Sequence, residues 1–122
     1  MQNFKIIIMK NGINKVTIVG NVGDDPRMNE TKEKFQVANF SVATNEIYRD
    51  KEGHEIKKTE WHKVVAWDKK AELIRDYVKK GDPIYVEGKL RTSSWEDKEG
   101  VKRYSTEVIC DNFLFLSSKN AE

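Results

Sequence analysis

The order of its secondary-structure elements is the feature that most constrains the fold of this chain. Five segments are rich in β-branched residues or alternate apolar and polar side chains, as half-buried strands do. They are residues 14–22, 35–46, 60–67, 83–92 and 102–116. One segment, between the third and the fourth of these, has the apolar spacing of a helix instead. The sequence therefore predicts an all-β protein with one helix between strands 3 and 4.

The ends of that helix are indicated by residues that favour helix termini. The Asp68 side chain can accept a hydrogen bond from a free amide of the first turn, so Asp68 is the predicted N-cap. Gly81 is the predicted left-handed C-terminal cap, and Pro83 prevents continuation of the helix. The predicted buried stripe consists of Leu73, Ile74, Tyr77 and Val78. Five strands with a helix at this place match a Greek-key β-barrel of the oligonucleotide/oligosaccharide-binding (OB) type, although other small β-barrels fit the same order.

The overall charge gives little guidance to a binding partner, because 22 basic and 20 acidic residues leave a net charge of +2. Any basic surface for nucleic acid must therefore be local. Cys110 has no second cysteine to pair with, and it is predicted to be a small core residue. The two histidines and the one cysteine do not have the spacing of metal ligands, so no metal site and no cofactor are expected.

A length of 122 residues is typical of one domain. We predict an N-terminal extension at residues 1–10, the barrel domain at residues 11–116 and a short C-terminal end at residues 117–122. The apolar run FKIIIM near the start is too short for a membrane span or a signal peptide. A cytoplasmic protein without membrane contact is therefore expected.

The segment TEWHKVVAW (residues 59–67) places two tryptophans on one side of the third predicted strand. Large aromatic residues are usually buried, which favours a core position for Trp61 and Trp67. Lys63 lies between them on the same side, however, and a lysine is almost never fully buried without a partner. On the opposite side, Val64 and Ala66 suit a barrel interior. We therefore predict that the tryptophan side of this strand is exposed.

An exposed strand with aromatic and cationic side chains suits single-stranded nucleic acid. Each base that stacks on an aromatic ring contributes roughly 1–3 kcal/mol, and lysine and arginine attract the phosphates. Two predicted hairpins carry the same combination of residue types. They hold Tyr48 with Arg49 and Lys51, and Trp95 with Arg91 and Lys98. An aromatic residue near a hairpin tip has little core to enter, so Tyr48 and Trp95 are also expected to be exposed.

Longer motifs of the chain resemble those of bacterial-type single-stranded DNA-binding proteins (SSBs). In order, they are NGINKVTIVGNVGDDP, VANFSVATNE, TEWHKVV, VKKGDPIYVEGKLRTSSW and RYSTEVI. The resemblance runs from about Asn11 to Phe115. It implies an OB-fold core, a homotetramer, and sequence-independent binding and protection of single-stranded DNA during replication, recombination and repair. It also implies a bacterial protein associated with the nucleoid.

The resemblance assigns roles to individual residues. Those that match base-stacking positions of the family are Tyr48, Trp61, Trp67 and Trp95. Those that match phosphate-contacting positions are Arg49, Lys51, Lys63, Lys69, Lys80, Arg91 and Arg103. Those that match positions near subunit contacts are Asn14, Lys15, Val16, His62, Tyr85 and Glu87. A Lys15–Glu87 pair is expected there, and His62 is expected to be a hydrogen-bonded structural residue.

Three departures from the family pattern affect these expectations. Pro83 and Lys89 stand where many relatives have glutamine, so the contact between dimers is expected to differ. Ser93 and Ser94 replace basic residues, which should weaken the phosphate contacts that precede Trp95. The chain ends in FLSSKNAE, without the Gly/Pro-rich linker and acidic tip of the family. Whether such a tail is truncated or naturally absent, the sequence as given does not support recruitment of the replication and repair partners that bind it.

Two other functions fit the residues less well. An OB-fold accessory protein of a primosome, acting mainly through protein contacts, would need fewer exposed tryptophans. A nuclease could in principle hold Mg²⁺ on Asp24 and Asp25, but adjacent carboxylates in a GDDP sequence are usually turn residues. The sequence therefore predicts a binding protein without enzymatic activity.

Overall fold

The computed structural model describes residues 11–116, in which one sheet closes into a barrel. The elements are β1 (Val16–Val22), β2 (Arg27–Glu30), β3 (Gln36–Arg49), β4 (Glu55–Trp67), α1 (Lys69–Tyr77), β5 (Pro83–Glu96) and β6 (Lys102–Phe115). The strand order is β1-β5-β6-β4-β3-β2, and a further pairing of β1 with β3 closes the barrel. The predicted fold class, an OB-type barrel with one helix, is confirmed. The predicted N-terminal extension (residues 1–10) and C-terminal end (residues 117–122) lie outside the described residues.

The short strand β2 is not among the five predicted strands, which leave residues 23–34 outside any strand. Strand β2 pairs antiparallel with β3, from Arg27↔Asn39 to Glu30↔Gln36. Its Met28 side chain is partly buried against the core, which anchors an otherwise polar segment. Because of β2, the helix follows the fourth strand of the structure rather than the third. Its place in the barrel is the predicted one.

Closure of the barrel depends on β1, which pairs with two strands. Most of β1 pairs with β5, and its last two residues pair with Ala43 and Val42 of β3. The two backbones come close at Gly20, where an added Cβ would overlap the Ala43 carbonyl oxygen. Only a glycine fits this crossing without displacing backbone atoms.

Aliphatic side chains fill the barrel interior. Val64 and Ala66 of β4 are 1% and 0% exposed, so the predicted inner side of this strand is confirmed. Cys110 is also buried, as predicted. Burial raises the pKa of its thiol to about 11, so the thiol stays protonated and unreactive at neutral pH.

Helix α1 packs against β3 and β4, but its ends differ from the prediction. Asp68 lies at the N-cap position with φ 58° and ψ −123°, and its side chain makes no capping hydrogen bond. Its backbone N–H instead donates to the Gln36 carbonyl oxygen at 2.9 Å, which fixes Asp68 to the end of β3. The helix ends at Val78, whose backbone is extended. Gly81 has the expected positive φ of 91°, but it lies in the turn beyond the helix.

The buried stripe of α1 is only partly the predicted one. Ile74 and Val78 are buried as expected, together with Ala71. Leu73 and Tyr77 are 43% and 62% exposed, so their predicted burial is wrong. A single short helix seated on a barrel has one neighbour to pack against, so it buries a narrow stripe of residues spaced by three and four positions.

Two pairs of strands continue beyond the buried part of the barrel as hairpin arms. The β3–β4 arm comprises residues 45–59, and its ladder ends at Arg49↔Glu55. The β5–β6 arm comprises residues 91–107, and its ladder ends at Glu96↔Lys102. Nearly all residues of both arms are exposed. The two hairpins predicted from the sequence are therefore confirmed.

The tips of the two arms share a sequence and a geometry. The sequence DKEG occurs at residues 50–53 and again at residues 97–100, and the glycines have φ of 84° and 79°. In each tip, Oδ1 of the aspartate accepts two backbone N–H groups of the loop. The donors are Glu52 and His54 to Asp50, and Glu99 and Val101 to Asp97. These bonds, chiefly those from His54 and Val101, hold the pKa of both aspartates below the usual range.

Candidate nucleic-acid interface

The outer side of β4 forms the centre of the candidate interface. Trp61 is 61% exposed and Trp67 is 39% exposed, whereas Val65 between them is buried. Strand β4 lies between β3 and β6 in the sheet, so both tryptophans stand on the outer surface of the barrel wall. The prediction that the tryptophan side is exposed is confirmed, most fully for Trp61.

The loop after β1 holds the Trp61 indole in place. An added Cβ at Gly23 would overlap the indole ring and would lie 2.7 Å from the Ser41 hydroxyl. The Gly23 N–H donates to the Ser41 carbonyl oxygen at 2.9 Å, which fixes the loop to β3. The ring therefore rests against a fixed backbone and leaves most of its surface to solvent.

Lys63 adds a cation on the same side of β4. Its Nζ donates to the Ser105 hydroxyl at 3.3 Å, which links β4 to β6. Within residues 11–116, the ion pairs of the structure do not include Lys63. Its charge is therefore available to a phosphate.

The arms carry the other two predicted stacking residues. Tyr48 on the β3–β4 arm is 48% exposed, and Trp95 on the β5–β6 arm is 49% exposed. Trp95 pairs with Arg103 across its arm, so these two residues share one side of it. The expected exposure of Tyr48 and Trp95 is confirmed.

The predicted phosphate-contacting cations occupy three regions besides the β4 wall. Arg49 and Lys51 lie at the tip of the β3–β4 arm. Arg91 and Arg103 lie on the β5–β6 arm, on the side of Trp95. The remaining cations are Lys69, which begins α1, and Lys80, which follows it. The structure thus brings the arginines of the β5–β6 arm to one surface, but it does not gather all the predicted cations there.

Arg103 already has a partner within the chain. Its Nε donates to Oδ2 of Asp97 at 3.0 Å, while Oδ1 of the same carboxylate accepts the loop amides. Arg49, by contrast, donates only to a backbone carbonyl oxygen, that of Gly53, at 3.3 Å. A phosphate must therefore compete with Asp97 for Arg103.

Sequence reasoning missed two exposed residues at the β5–β6 hairpin, one on the arm and one just before it. Tyr104 is 65% exposed, and Nζ of Lys102 lies 5.7 Å from the centre of its ring. Leu90 is 48% exposed, although the alternation of β5 places it in the interior row with Ile84 and Val86. The signal for Tyr104 is the sequence KRYS, in which an aromatic residue follows two cations near a hairpin tip.

Two grooves share Lys63 in their lining. The polar groove has a volume of about 420 Å³ and lies among β2, β3 and the loop after β1. Its lining includes Asp24, Asp25, Arg27, Asn29, Asn39 and Glu107. The arm groove has a volume of about 340 Å³ and lies between β4 and the β5–β6 arm. Its lining includes Trp61, Lys63, Leu90, Tyr104, Ser105 and Thr106.

Five of the six residues predicted near subunit contacts lie at or just before the start of β1 and on β5, and the sixth, His62, lies on β4. The expected Lys15–Glu87 pair is present within one copy of the chain, with 3.6 Å between Nζ and Oε2. The Tyr85 hydroxyl donates to the same carboxylate oxygen at 2.8 Å. That hydrogen bond, followed by the charge of Lys15, lowers the pKa of Glu87, and it raises the pKa of Tyr85. The Asn14 side chain bonds both the N–H and the carbonyl oxygen of Leu90 at 2.8 Å.

Two further residues of that prediction are also placed by the structure. Val16 is partly buried and pairs with Gly88 of β5. Nε2 of His62 lies 2.9 Å from the Thr44 hydroxyl, which agrees with the hydrogen-bonded structural role expected for this histidine.

The carboxylates considered for a nuclease site accept hydrogen bonds from backbone amides, one of them local and one from the segment after α1. Oδ1 of Asp24 accepts the Asp25 N–H at 2.9 Å, and Oδ1 of Asp25 accepts the Lys80 N–H at 2.8 Å. In the described region, no three His, Cys, Asp or Glu side chains are grouped so that they could hold a metal ion. No helix of that region has the length and apolar character needed to span a membrane.

The barrel, helix α1 and an exposed aromatic and basic wall flanked by two arms define an OB-fold protein of the class that binds single-stranded nucleic acid. Comparison with known proteins agrees. The sequence model of the family described as "Single-strand binding protein family" matches residues 13–116. The chain therefore belongs to the single-strand binding protein family, as its motifs predict. Members of this family bind DNA without enzymatic activity, which confirms the expectation that the chain is not an enzyme.

Individual relatives are similar over most of the chain. It is 43% identical to "Single-stranded DNA-binding protein 1" of Chlorobaculum tepidum over 114 residues, which are 93% of this chain and 70% of the relative. A solved structure, "Plasmodium falciparum SSB complex with ssDNA", superposes with a TM-score of 0.81 at 33% identity. The superposition covers 90% of this chain and 100% of the chain in that structure.

Proposed function

We propose that this protein binds single-stranded DNA without sequence preference, through base stacking combined with phosphate contacts. The observation that carries the proposal is the Trp61 ring, 61% exposed on the barrel wall beside Lys63. A tryptophan with a structural role would be buried, whereas this ring rests on Gly23 and presents a flat apolar surface. The names of the similar proteins support the same partner.

In this proposal, bases stack on Tyr48, Trp61, Trp67 and Trp95. Every base has a flat π face, so stacking on these rings does not depend on sequence. Two of the rings stand on the barrel wall and one stands on each arm. A bound strand must therefore curve around the barrel to reach all of them.

The phosphates of that strand are bound by the seven predicted cations. Lys63, Arg49 and Lys51 have no carboxylate partner in the described region, which leaves their charges to the DNA. Contacts of this kind release counterions from the nucleic acid, so the affinity depends on salt.

We further propose that the protein is a homotetramer that protects single-stranded DNA during replication, recombination and repair, at the bacterial nucleoid. The β1–β5–β6 surface supports assembly, because exposed Val19 and Leu114 flank Tyr85 on the neighbouring strands. Light scattering should give a mass four times that of the 14.2 kDa chain. A mass equal to one chain would contradict the tetramer.

DNA binding is tested by tryptophan fluorescence during titration with oligo-dT. Bases stacked on exposed indoles should quench the emission strongly. Raising the salt from about 50 mM to about 200 mM should weaken binding, because the entropy gained when phosphate contacts release counterions is smaller in a more concentrated salt solution. A protein that acts mainly through protein contacts would show little quenching at saturating DNA, and that result would contradict the proposal.

A further inference from the structure

We propose that the arm groove is a base-stacking site, in which one nucleobase is held between the Trp61 indole and the Tyr104 ring. The inference rests on the proposed binding of single-stranded DNA. It adds Tyr104 to the stacking residues and assigns one base to a defined place between β4 and the β5–β6 arm.

Tyr104 reaches the groove because interior rows of the barrel continue onto the arm. Alternate residues of a strand form a row on one side of the sheet. In β6, the row of buried Val108 includes Tyr104, and in β5 the row of buried Val86 includes Leu90. The register pairs Leu90 with Val108 and Ser94 with Tyr104, so both rows lie on one side of the arm. Beyond the barrel no core covers this side. It therefore becomes an exposed wall with a leucine and a tyrosine on it.

The groove itself is created where β4 and β6 separate. These strands pair in parallel at Val64↔Val108 and Val65↔Ile109. At earlier positions along the chain, β4 pairs with β3 and β6 pairs with β5. The gap between them has about 340 Å³ and is lined by Trp61 from β4 and by Tyr104 from β6. This volume lies within the range of clefts that hold small planar ligands.

The chemistry of the groove fits a base that carries a phosphate. Its lining combines an indole, a phenol ring and a leucine with the cation Lys63, and Lys102 lies over the Tyr104 ring. Among the described residues that line it, none is a carboxylate. The polar groove on the other side of Lys63 is lined by three: Asp24, Asp25 and Glu107. Since carboxylates repel phosphates, the arm groove is the better site for a nucleotide.

Tyr104 and Trp95 are on opposite sides of the same arm. Trp95 pairs with Arg103, one position away from Tyr104 in a strand whose side chains alternate. Trp95 is not among the residues that line the arm groove, so the two residues can be tested separately.

The test compares Tyr104→Ala, Tyr104→Phe and Tyr77→Ala in binding an oligo-dT of about 8 nucleotides, a length within the site size of one OB fold. We expect Tyr104→Ala to weaken binding about tenfold, because a stacking ring is lost. Tyr104→Phe keeps the ring and should bind within about twofold of the wild type. Tyr77→Ala removes an equally exposed tyrosine on α1, outside the groove, and should bind like the wild type.

Three further measurements test the site that Trp61 and Tyr104 are proposed to share. The double variant Trp61→Ala/Tyr104→Ala should lose less affinity than the product of the two single losses, because both rings hold the same base. The salt dependence should be unchanged in Tyr104→Ala, since no charge is removed. In the wild-type protein, photocrosslinking of oligonucleotides that contain 5-iodouracil should attach DNA to the peptide with Tyr104, which tests the site without any substitution.

The results that would overturn the inference are distinct from those that would overturn DNA binding. Wild-type affinity in Tyr104→Ala, while Trp61→Ala binds weakly, would refute the site and leave the proposed function standing. Fully multiplicative losses, or crosslinks at Trp61 without any at Tyr104, would also refute it. No binding of oligo-dT by the wild-type protein would refute the proposed function itself.

Discussion

Trp61 can serve as a stacking surface because its position is set before DNA arrives. The indole rests on the backbone of Gly23, and Gly23 is bonded to Ser41 of the neighbouring strand. A ring that is already held loses little rotamer freedom on binding, so more of the stacking energy contributes to affinity. At the scale of single residues, the glycine therefore matters to function although it offers no side chain to the DNA.

The substitution Gly23→Ala tests this role. The added methyl would overlap the indole, which must turn away, so we expect oligo-dT affinity to fall by about fivefold, towards the low end of a lost stacking contact. The emission maximum of tryptophan should shift in the free protein. Gly12→Ala is the matched control, because a Cβ there meets nothing within 4 Å. Unchanged affinity and emission in Gly23→Ala would show that the glycine does not position the ring.

The exposed side of β4 could be predicted from the sequence, because Lys63 lies on the same side as two tryptophans. The period of two in a strand assigns each residue to a side, but it does not show where the barrel ends along that strand. Leu90 illustrates the difference: its row is interior as far as Gly88, and the next residue of the row is exposed. Tyr104 was missed for the same reason. The conformation of Asp68 was also unpredictable locally, because a bond to Gln36, distant in sequence, fixes it.

The arms are elements whose tips are organised by one aspartate each. In the β5–β6 arm, Asp97 uses one oxygen to hold the loop amides and the other to hold Arg103. In the β3–β4 arm, Asp50 uses its second oxygen for His54 instead. The two tips therefore have the same shape, but only in the β5–β6 arm does the aspartate itself bind a predicted phosphate-contacting arginine. The motif DKEG allows the hairpins to be predicted, whereas the polar four-residue β2 depends on its pairing with β3.

The substitution Asp97→Asn separates the two tasks of this carboxylate. An amide oxygen can still accept the loop N–H groups, but the ion pair with Arg103 is lost. We expect tighter binding of oligo-dT at low salt, and a salt slope that is steeper by up to about 0.7, the value for one added phosphate contact on a single strand. Asp50→Asn removes the same charge from the other tip and is the matched control. Equal changes in the two variants would show that only net charge matters.

For the molecule as a whole, the crossing at Gly20 decides whether the sheet closes. Strand β1 joins β5 on one side and β3 on the other, and these contacts convert an open sheet into a barrel. Trp61 lies opposite Ala43, the residue whose carbonyl approaches Gly20. The closure that gives the protein its core therefore also supports the wall that carries the candidate interface.

The substitution Gly20→Ala should destabilise the whole barrel. Its methyl would overlap the Ala43 carbonyl oxygen. Ala43 is held between Asn21 of β1 and Trp61 of β4, so this backbone atom cannot turn aside like a side chain. We expect the free energy of unfolding to fall by about 1–3 kcal/mol, seen as a lower urea midpoint. Affinity for oligo-dT per folded molecule should change little. Gly23→Ala, which overlaps a movable side chain, should be the more stable variant, and the reverse order would contradict this account.

Each arm is a regular antiparallel ladder that ends in a self-contained loop, so its length can be changed independently of the barrel. Two residues added to each strand between the barrel and Tyr104 would lengthen the β5–β6 arm by about 6.8 Å and keep every side chain on its present side. One residue added to each strand would exchange the sides of the arm on which Tyr104 and Trp95 stand. Proteins with a longer or shorter reach along a DNA strand can thus be engineered from one unchanged core by even-numbered insertions.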